Sequence, residues 1–83
     1  MPLARVVITG NLRQFTDGQS EFEIDARNIR GLFLELTKRH PSVAPHLETG
    51  IAVAINGEIF QDTLFEPIPD GAEVHIMPAI GGG

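Results

Sequence analysis

The sequence predicts an α+β domain in which one main helix covers one face of a mixed sheet of four or five strands. Three observations lead to this prediction. Short apolar or alternating segments recur along the chain, as in strands that bury one face. One longer segment has the apolar spacing of a helix, and an Asn-Gly pair joins two of the strands. The 83 residues suffice for a single domain.

The first two strands are predicted at Leu3–Thr9 and Glu21–Asp25. In the first, Ala4, Val6 and Ile8 share one face, and in the second the acidic residues alternate with apolar ones. Gly-Asn and Asp-Gly pairs bound the segment between them, which we expect to be a loop. Because the two strands are close in sequence, an antiparallel hairpin with a long loop is the predicted arrangement.

The main helix follows the second strand. Apolar residues recur with helical spacing at Ile29, Leu32, Phe33 and Leu36. Asn28 is a suitable N-cap, because its side-chain oxygen can accept a hydrogen bond from an unpaired backbone N–H. Pro41 ends the helix. Leu34 lies off the apolar stripe, so we expect it to be partly exposed.

The second half of the chain supplies the remaining strands. We expect Ser42–Gly50 to be irregular, Ile51–Ile55 to be a strand, and Asn56-Gly57 to form a type I′ turn into a short strand beginning at Glu58. The last strand is predicted at Glu73–Met77. Since the first and last strands are both apolar, we place the last one in the middle of the sheet, parallel to the first. This arrangement is a β-grasp.

Charge and composition limit the possible partners. Eleven acidic and six basic residues give a net charge of −5, which opposes binding to nucleic acid phosphates and suits a basic protein partner. The amino-terminal segment lacks a signal-peptide core, no apolar stretch approaches a membrane span, and there are no cysteines. We therefore expect a cytoplasmic protein that binds neither nucleic acid nor membrane.

Familiar catalytic and cofactor motifs are missing from the sequence. Neither GxxxxGK[ST] nor GxGxxG occurs, so no recognised nucleotide-binding loop is present. The histidines His40, His46 and His75 do not have the spacing of zinc ligands, and no serine stands at a suggestive distance from them. We expect no metal site, and we expect that the chain is not an enzyme.

The chain closes on the residues AIGGG, directly after the predicted central strand. We therefore divide it into a β-grasp domain over residues 1–78 and a flexible tail over residues 79–83. A glycine thread can enter a narrow channel where any Cβ would clash. From the residues alone, a frayed end and a functional end are both open interpretations.

Several short motifs occur in a characteristic order. The first is a strand that runs into Asn-Gly-Glu, at Ile55–Glu58, and the second is an acidic-Gly turn before the last strand, at Asp70-Gly71. A small apolar link at Pro78–Ile80 and a final diglycine at Gly82-Gly83 follow. A Leu-Arg pair after the first strand and a His-Pro pair after the helix accompany them. This combination resembles the MoaD/ThiS family of ubiquitin-like sulfur carriers, and the resemblance spans nearly the whole chain.

The resemblance implies a function for the tail. A ThiF/MoeB-like adenylating enzyme would activate the carboxylate of Gly83, and Gly81 and Gly82 would form the flexible tail segment that precedes it. A sulfur donor would then form a thiocarboxylate, which would pass its sulfur to an acceptor synthase subunit. ATP and magnesium belong to the activating partner, and this chain is expected to bind no cofactor. It would be a carrier that is monomeric when free, or the small subunit of a synthase complex.

Two alternatives use the same sequence differently. One is a ubiquitin-like protein modifier that is conjugated through Gly83, and the other is a β-grasp binding module with an inert tail. The destination of the sulfur is also open. The motifs share features with the molybdopterin, thiamine and cysteine branches of the family, so the sequence does not select one pathway.

The face of the sheet without the helix is the predicted docking face. Its outward positions are poorer in charge than an ordinary surface, and an apolar patch with a polar rim is typical of a partner site. The residues that we assign to docking are Val7, Ala52, Ala54, His75, Met77 and Ile80. The assignment of the two alanines depends on strand register, because a slip of one residue would reverse their face.

Overall fold

The computed structural model describes residues 3–48, 51–61 and 63–78. Five strands form one sheet: β1 (Leu3–Ile8), β2 (Glu21–Asp25), β3 (Ile51–Ile55), β4 (Glu58–Gln61) and β5 (Glu73–Pro78). Two helices are present in the described residues, α1 (Ile29–Arg39) and α2 (Ala44–Glu48). Short 3₁₀ segments occur at Gly10–Phe15 and Pro41–Val43. None of the helices in these ranges is both long and apolar enough to cross a membrane.

The last strand lies in the middle of the sheet, as predicted. The strand order is β2-β1-β5-β3-β4, and β5 is parallel to β1 and antiparallel to β3. The two hairpins, β1 with β2 and β3 with β4, are antiparallel. The α+β class and the β-grasp topology are therefore confirmed, with five strands and one main helix.

The core lies between α1 and one face of the sheet. Alternate residues of the two central strands, Val6 and Ile8 on β1 and Val74 and Ile76 on β5, are almost completely buried. The stripe of α1 faces them, and its fully buried members are Ile29, Leu32 and Leu36. Leu34 is 50% exposed on the outer side of the helix, as its position off the stripe predicted. Burial of each large apolar side chain stabilises the fold by about 1.5–3 kcal/mol.

Two different groups satisfy the amino-terminal N–H donors of α1. The side chain of Asn28 accepts a hydrogen bond from the Gly31 amide at 2.8 Å, which confirms the predicted N-cap. The connection between β4 and β5 supplies two backbone carbonyls: that of Glu66 accepts from Ile29 and that of Leu64 from Arg30. This connection is therefore fixed against the start of the helix.

The Asn-Gly turn has the predicted conformation. Asn56 and Gly57 have φ angles of 50° and 90°, which is the left-handed backbone that a type I′ turn requires. The Asn56 side chain also accepts a hydrogen bond from the Glu73 amide at 2.9 Å. The turn thereby joins the β3–β4 hairpin to the beginning of the central strand.

The prediction of irregular structure between α1 and β3 was wrong for most of that segment. Helix α2 occupies much of it, and Val43 and Leu47 are buried in the core. The imidazole of His46 stacks on Phe15 with ring centroids 3.8 Å apart. The segment is ordered by these tertiary contacts rather than by helix propensity, since a five-residue helix is not stable alone. The expected loop after β1 likewise contains a 3₁₀ segment.

Candidate functional site

The predicted tail begins where the central strand ends. Strand β5 pairs with both neighbours, and its last residue, Pro78, lies opposite Ile51 of β3. Residues 79–83 come next in the chain, and they lie outside the described residues. The predicted site residues Ile80, Gly81, Gly82 and Gly83 belong to this segment. What the structure describes is the base from which they continue, a strand held on both sides.

The other predicted site residues lie together on the helix-free face. Val7, His75 and Ala54 form one row across β1, β5 and β3, because Val7 pairs with His75 and His75 pairs with Ala54. Ala52 lies opposite Met77 in a second row. The residues between them in sequence point into the core, so the register places all five on the opposite face.

The two alanines are less accessible than their outward positions suggested. Ala52 is 0% and Ala54 is 7% exposed, whereas Val7, His75 and Met77 are half-buried. An alanine methyl group is short and lies between longer cross-strand neighbours. The longer side chains around the alanines therefore cover them and form the accessible surface of the face.

Two exposed apolar residues of this face were missed in the sequence: Ile59, and Leu3, which is 45% exposed on β1. Ile59 pairs with Ala54 across the β3–β4 hairpin and is 47% exposed. The signal for it was available. A two-residue Asn-Gly turn requires Ile55 to pair with Glu58, and the next pair is then Ala54 with Ile59.

Charged side chains lie beside the apolar part of the face. Arg5 of β1 donates a hydrogen bond to Glu21 of β2 at 2.6 Å, and this bond raises the pKa of the guanidinium. On β5, Nε2 of His75 lies 2.9 Å from a carboxylate oxygen of Glu73. That hydrogen bond, together with the nearby histidine charge, lowers the pKa of the Glu73 carboxyl. Glu73 is also the register partner of Arg5, so one row of charges crosses three strands.

The outer edge of the face is acidic. Glu21, Glu23 and Asp25 occupy the alternate, exposed positions of β2, while Phe22 and Ile24 between them are buried. The helix-free face is therefore divided. Its β3–β5 side is largely apolar, and its β2 side carries carboxylates with one arginine.

The remaining histidines lie elsewhere. His40 is near the end of α1, where Nδ1 lies 3.7 Å from a carboxylate oxygen of Asp17 and the ring packs edge-on against Phe22. His46 stacks on Phe15. In the part of the chain that the structure describes, no group of three or more histidine, aspartate or glutamate side chains is arranged to hold a metal ion.

Solved structures from three organisms share this architecture. Small archaeal modifier protein 1 from Methanosarcina acetivorans is 22% identical with a TM-score of 0.82, over 100% of this chain and 98% of that one. The putative molybdopterin converting factor subunit 1 from Pyrococcus furiosus is 25% identical with a TM-score of 0.79, over 96% and 100%. A chain of the Amycolatopsis orientalis BexX/CysO complex is 26% identical with a TM-score of 0.80, over 96% and 99%.

Sequence comparison identifies the family. No curated protein matches the chain. The sequence profile of the ThiS family, however, matches residues 6–83, which include β2 to β5, both helices and the diglycine. The predicted resemblance is thereby confirmed, and the chain belongs to the ThiS family.

Proposed function

We propose that the chain is a sulfur carrier whose reacting group is the carboxylate of Gly83. The observation that carries the proposal is the position of the diglycine. It lies a few residues beyond the central strand β5, inside a family match that continues to residue 83. A strand paired on both sides is a rigid base, and glycines without side chains suit entry into a narrow active site.

The proposed chemistry has two steps, both in the active site of an adenylating enzyme of the ThiF/MoeB type. The Gly83 carboxylate attacks the α-phosphorus of ATP, and pyrophosphate leaves to give an acyl-adenylate. A sulfide-equivalent donor then attacks the acyl carbon, the bond from that carbon to the AMP oxygen breaks, and a thiocarboxylate remains. A carboxylate is a poor electrophile, and adenylation supplies its leaving group.

This scheme requires no catalytic side chain on the carrier. The chain must present a reachable carboxylate and bind its partner in a defined orientation. ATP, magnesium and the sulfur donor are supplied at the partner's site, so the carrier acts as a co-substrate. The thiocarboxylate is then a sulfur source for an acceptor synthase subunit in cofactor or metabolite biosynthesis, of the molybdopterin, thiamine or cysteine type.

Docking is proposed on the helix-free face. Four partly accessible side chains surround the two buried alanines of this face: Val7, Ile59, His75 and Met77. This face includes the strand from which the tail continues, so a partner that covers it is close to the base of the tail. Two of the similar structures support the proposal that the partner is a protein, because one is a subunit of a converting factor and the other is part of a BexX/CysO complex.

An adenylation assay tests the proposal. The chain is incubated with ATP, magnesium and a purified ThiF/MoeB-type enzyme from the same organism, and pyrophosphate release is measured. We expect release with the native chain and none with a chain that lacks Gly82 and Gly83. Equal release from both chains would refute the role of the tail. Higher-mass conjugates formed through Gly83 in cell extract would instead support the modifier function.

A further inference from the structure

A polar pair lies where the apolar part of the docking face meets its charged part. His75 stands on the central strand between Val7 of β1 and Ala54 of β3, neither of which can form a side-chain hydrogen bond. Its side chain is 36% exposed, and that of Glu73 is 55% exposed. A partner that covers this face buries both side chains. It must then supply hydrogen bonds to them, because burying polar groups without such bonds is costly.

The geometry of the pair determines which imidazole nitrogen carries the proton. An ionised carboxylate only accepts hydrogen bonds, so the 2.9 Å contact with Glu73 requires Nε2 of His75 to be the donor. In a neutral imidazole the other nitrogen, Nδ1, is then an acceptor. Within residues 3–48, 51–61 and 63–78, Nδ1 of His75 has no hydrogen-bond partner.

The neighbouring charges favour a cation above the pair. Towards β1, Glu73 faces Arg5, which is already bonded to Glu21 of β2. Glu23 adds a further exposed carboxylate on β2. Towards β3, the neighbours are Ala54 beside His75 and Asn56 beside Glu73, and neither carries a charge. Around the pair, carboxylates therefore outnumber the one arginine.

We propose that Glu73 and His75 together bind an arginine or lysine side chain of the protein that docks on this face. The cation donates a hydrogen bond to Nδ1 of His75, and the exposed carboxylate of Glu73, which is bonded to the opposite edge of the ring, favours its positive charge. The inference rests on the proposed docking function and adds the chemistry of the partner at this position. It makes the pair a determinant of which partner binds, because an apolar group at the same place leaves Nδ1 buried and unpaired, and an acidic group there is also repelled by Glu73.

Binding to the purified ThiF/MoeB-type enzyme, measured by calorimetry, tests the proposal. His75→Phe removes the acceptor and keeps a ring. We expect it to raise Kd by about tenfold or more, since a buried hydrogen bond to a cation is lost. His75→Asn keeps an acceptor oxygen near the position of Nδ1. It should bind within about threefold of the native chain.

Two results would overturn the proposal. One is that His75→Phe binds as tightly as the native chain, which means that the face needs only apolar contact. The other is that His75→Asn binds as weakly as His75→Phe, which means that an acceptor atom at this position is not what the partner needs.

The proposed function is judged separately by Ile59→Ala, which removes apolar contact without touching the pair. If Ile59→Ala weakens binding and the His75 variants do not behave as expected, the docking face stands and this inference fails. If the native chain does not bind, the docking function itself is refuted. Nitrogen NMR of the chain alone gives a further check, because a proton on Nδ1 of neutral His75 would contradict the donor assignment.

Discussion

Replacement of Ile59 by alanine should weaken docking by an amount that follows from its exposure. Complete burial of an isoleucine side chain contributes about 1.5–3 kcal/mol, and Ile59 is 47% exposed, so docking buries about half of it, or about 0.7–1.4 kcal/mol. That free energy corresponds to a Kd raised by about three- to tenfold. A lysine at this position should have a larger effect, because an ammonium group would also lose water on docking.

Leu34 supplies the matched control. It is 50% exposed, nearly the same as Ile59, but lies on the outer side of α1. The assay is calorimetric titration of each variant against the purified adenylating enzyme, with thermal unfolding of each variant to show that it is folded. We expect Leu34→Ala to bind like the native chain. If Leu34→Ala weakens binding as much as Ile59→Ala does, or if Ile59→Ala has no effect, the helix-free face is not the docking face.

Three further predictions concern stability. Leu36 is fully buried, so Leu36→Ala should lower the free energy of unfolding by about 2–5 kcal/mol in urea denaturation, and a smaller loss would mean that α1 packs loosely. Asn28→Ala removes the N-cap bond to Gly31 and should cost about 1 kcal/mol, whereas Asn28→Asp should retain most of the stability. The pKa of Glu73 is lowered by its hydrogen bond with His75, so its stabilising contribution is present at neutral pH and is lost as the pH falls through that lowered pKa. The native chain should therefore unfold at a higher urea concentration than Glu73→Gln at neutral pH, with the difference vanishing in acid; a constant difference would contradict this.

Most of the fold follows from local patterns. Alternation in Glu21–Asp25 determines which side of that strand is buried, and the spacing from Ile29 to Leu36 determines the buried stripe of α1. The Asn56-Gly57 turn sets the register of its hairpin. These features are predictable because each depends on neighbours in sequence. The central position of the last strand followed from its apolar character and its connection lengths.

The remaining features depend on contacts that are distant in sequence. Helix α2 has five residues and contains Pro45, so its pattern is too short to be recognised, and it is held by the burial of Leu47 and the stacking of His46 on Phe15. Accessibility on the docking face was also not predictable in detail. Alternation shows which face Ala52 occupies, but the length of the side chains on the adjacent strands determines whether its methyl group is exposed.

The pairing of His75 with Glu73 was predictable from the sequence only in part. Residues two apart on a strand share a face, so the sequence indicates that the two side chains are near each other. The hydrogen bond itself depends on their rotamers, which the sequence does not specify. The side-chain geometry of the structure was therefore needed to assign the donor nitrogen and, from it, the chemistry of the partner.

Intact-mass spectrometry of the chain from its native host is the most direct test of the proposed sulfur chemistry. The proposal predicts a species in which one oxygen is exchanged for sulfur, with the change located at the carboxyl group of Gly83. This species should be missing from a chain that lacks Gly82 and Gly83. A chain without a thiocarboxylate while its adenylating partner is active, or one found mainly in conjugates through Gly83, would contradict the assignment as a sulfur carrier.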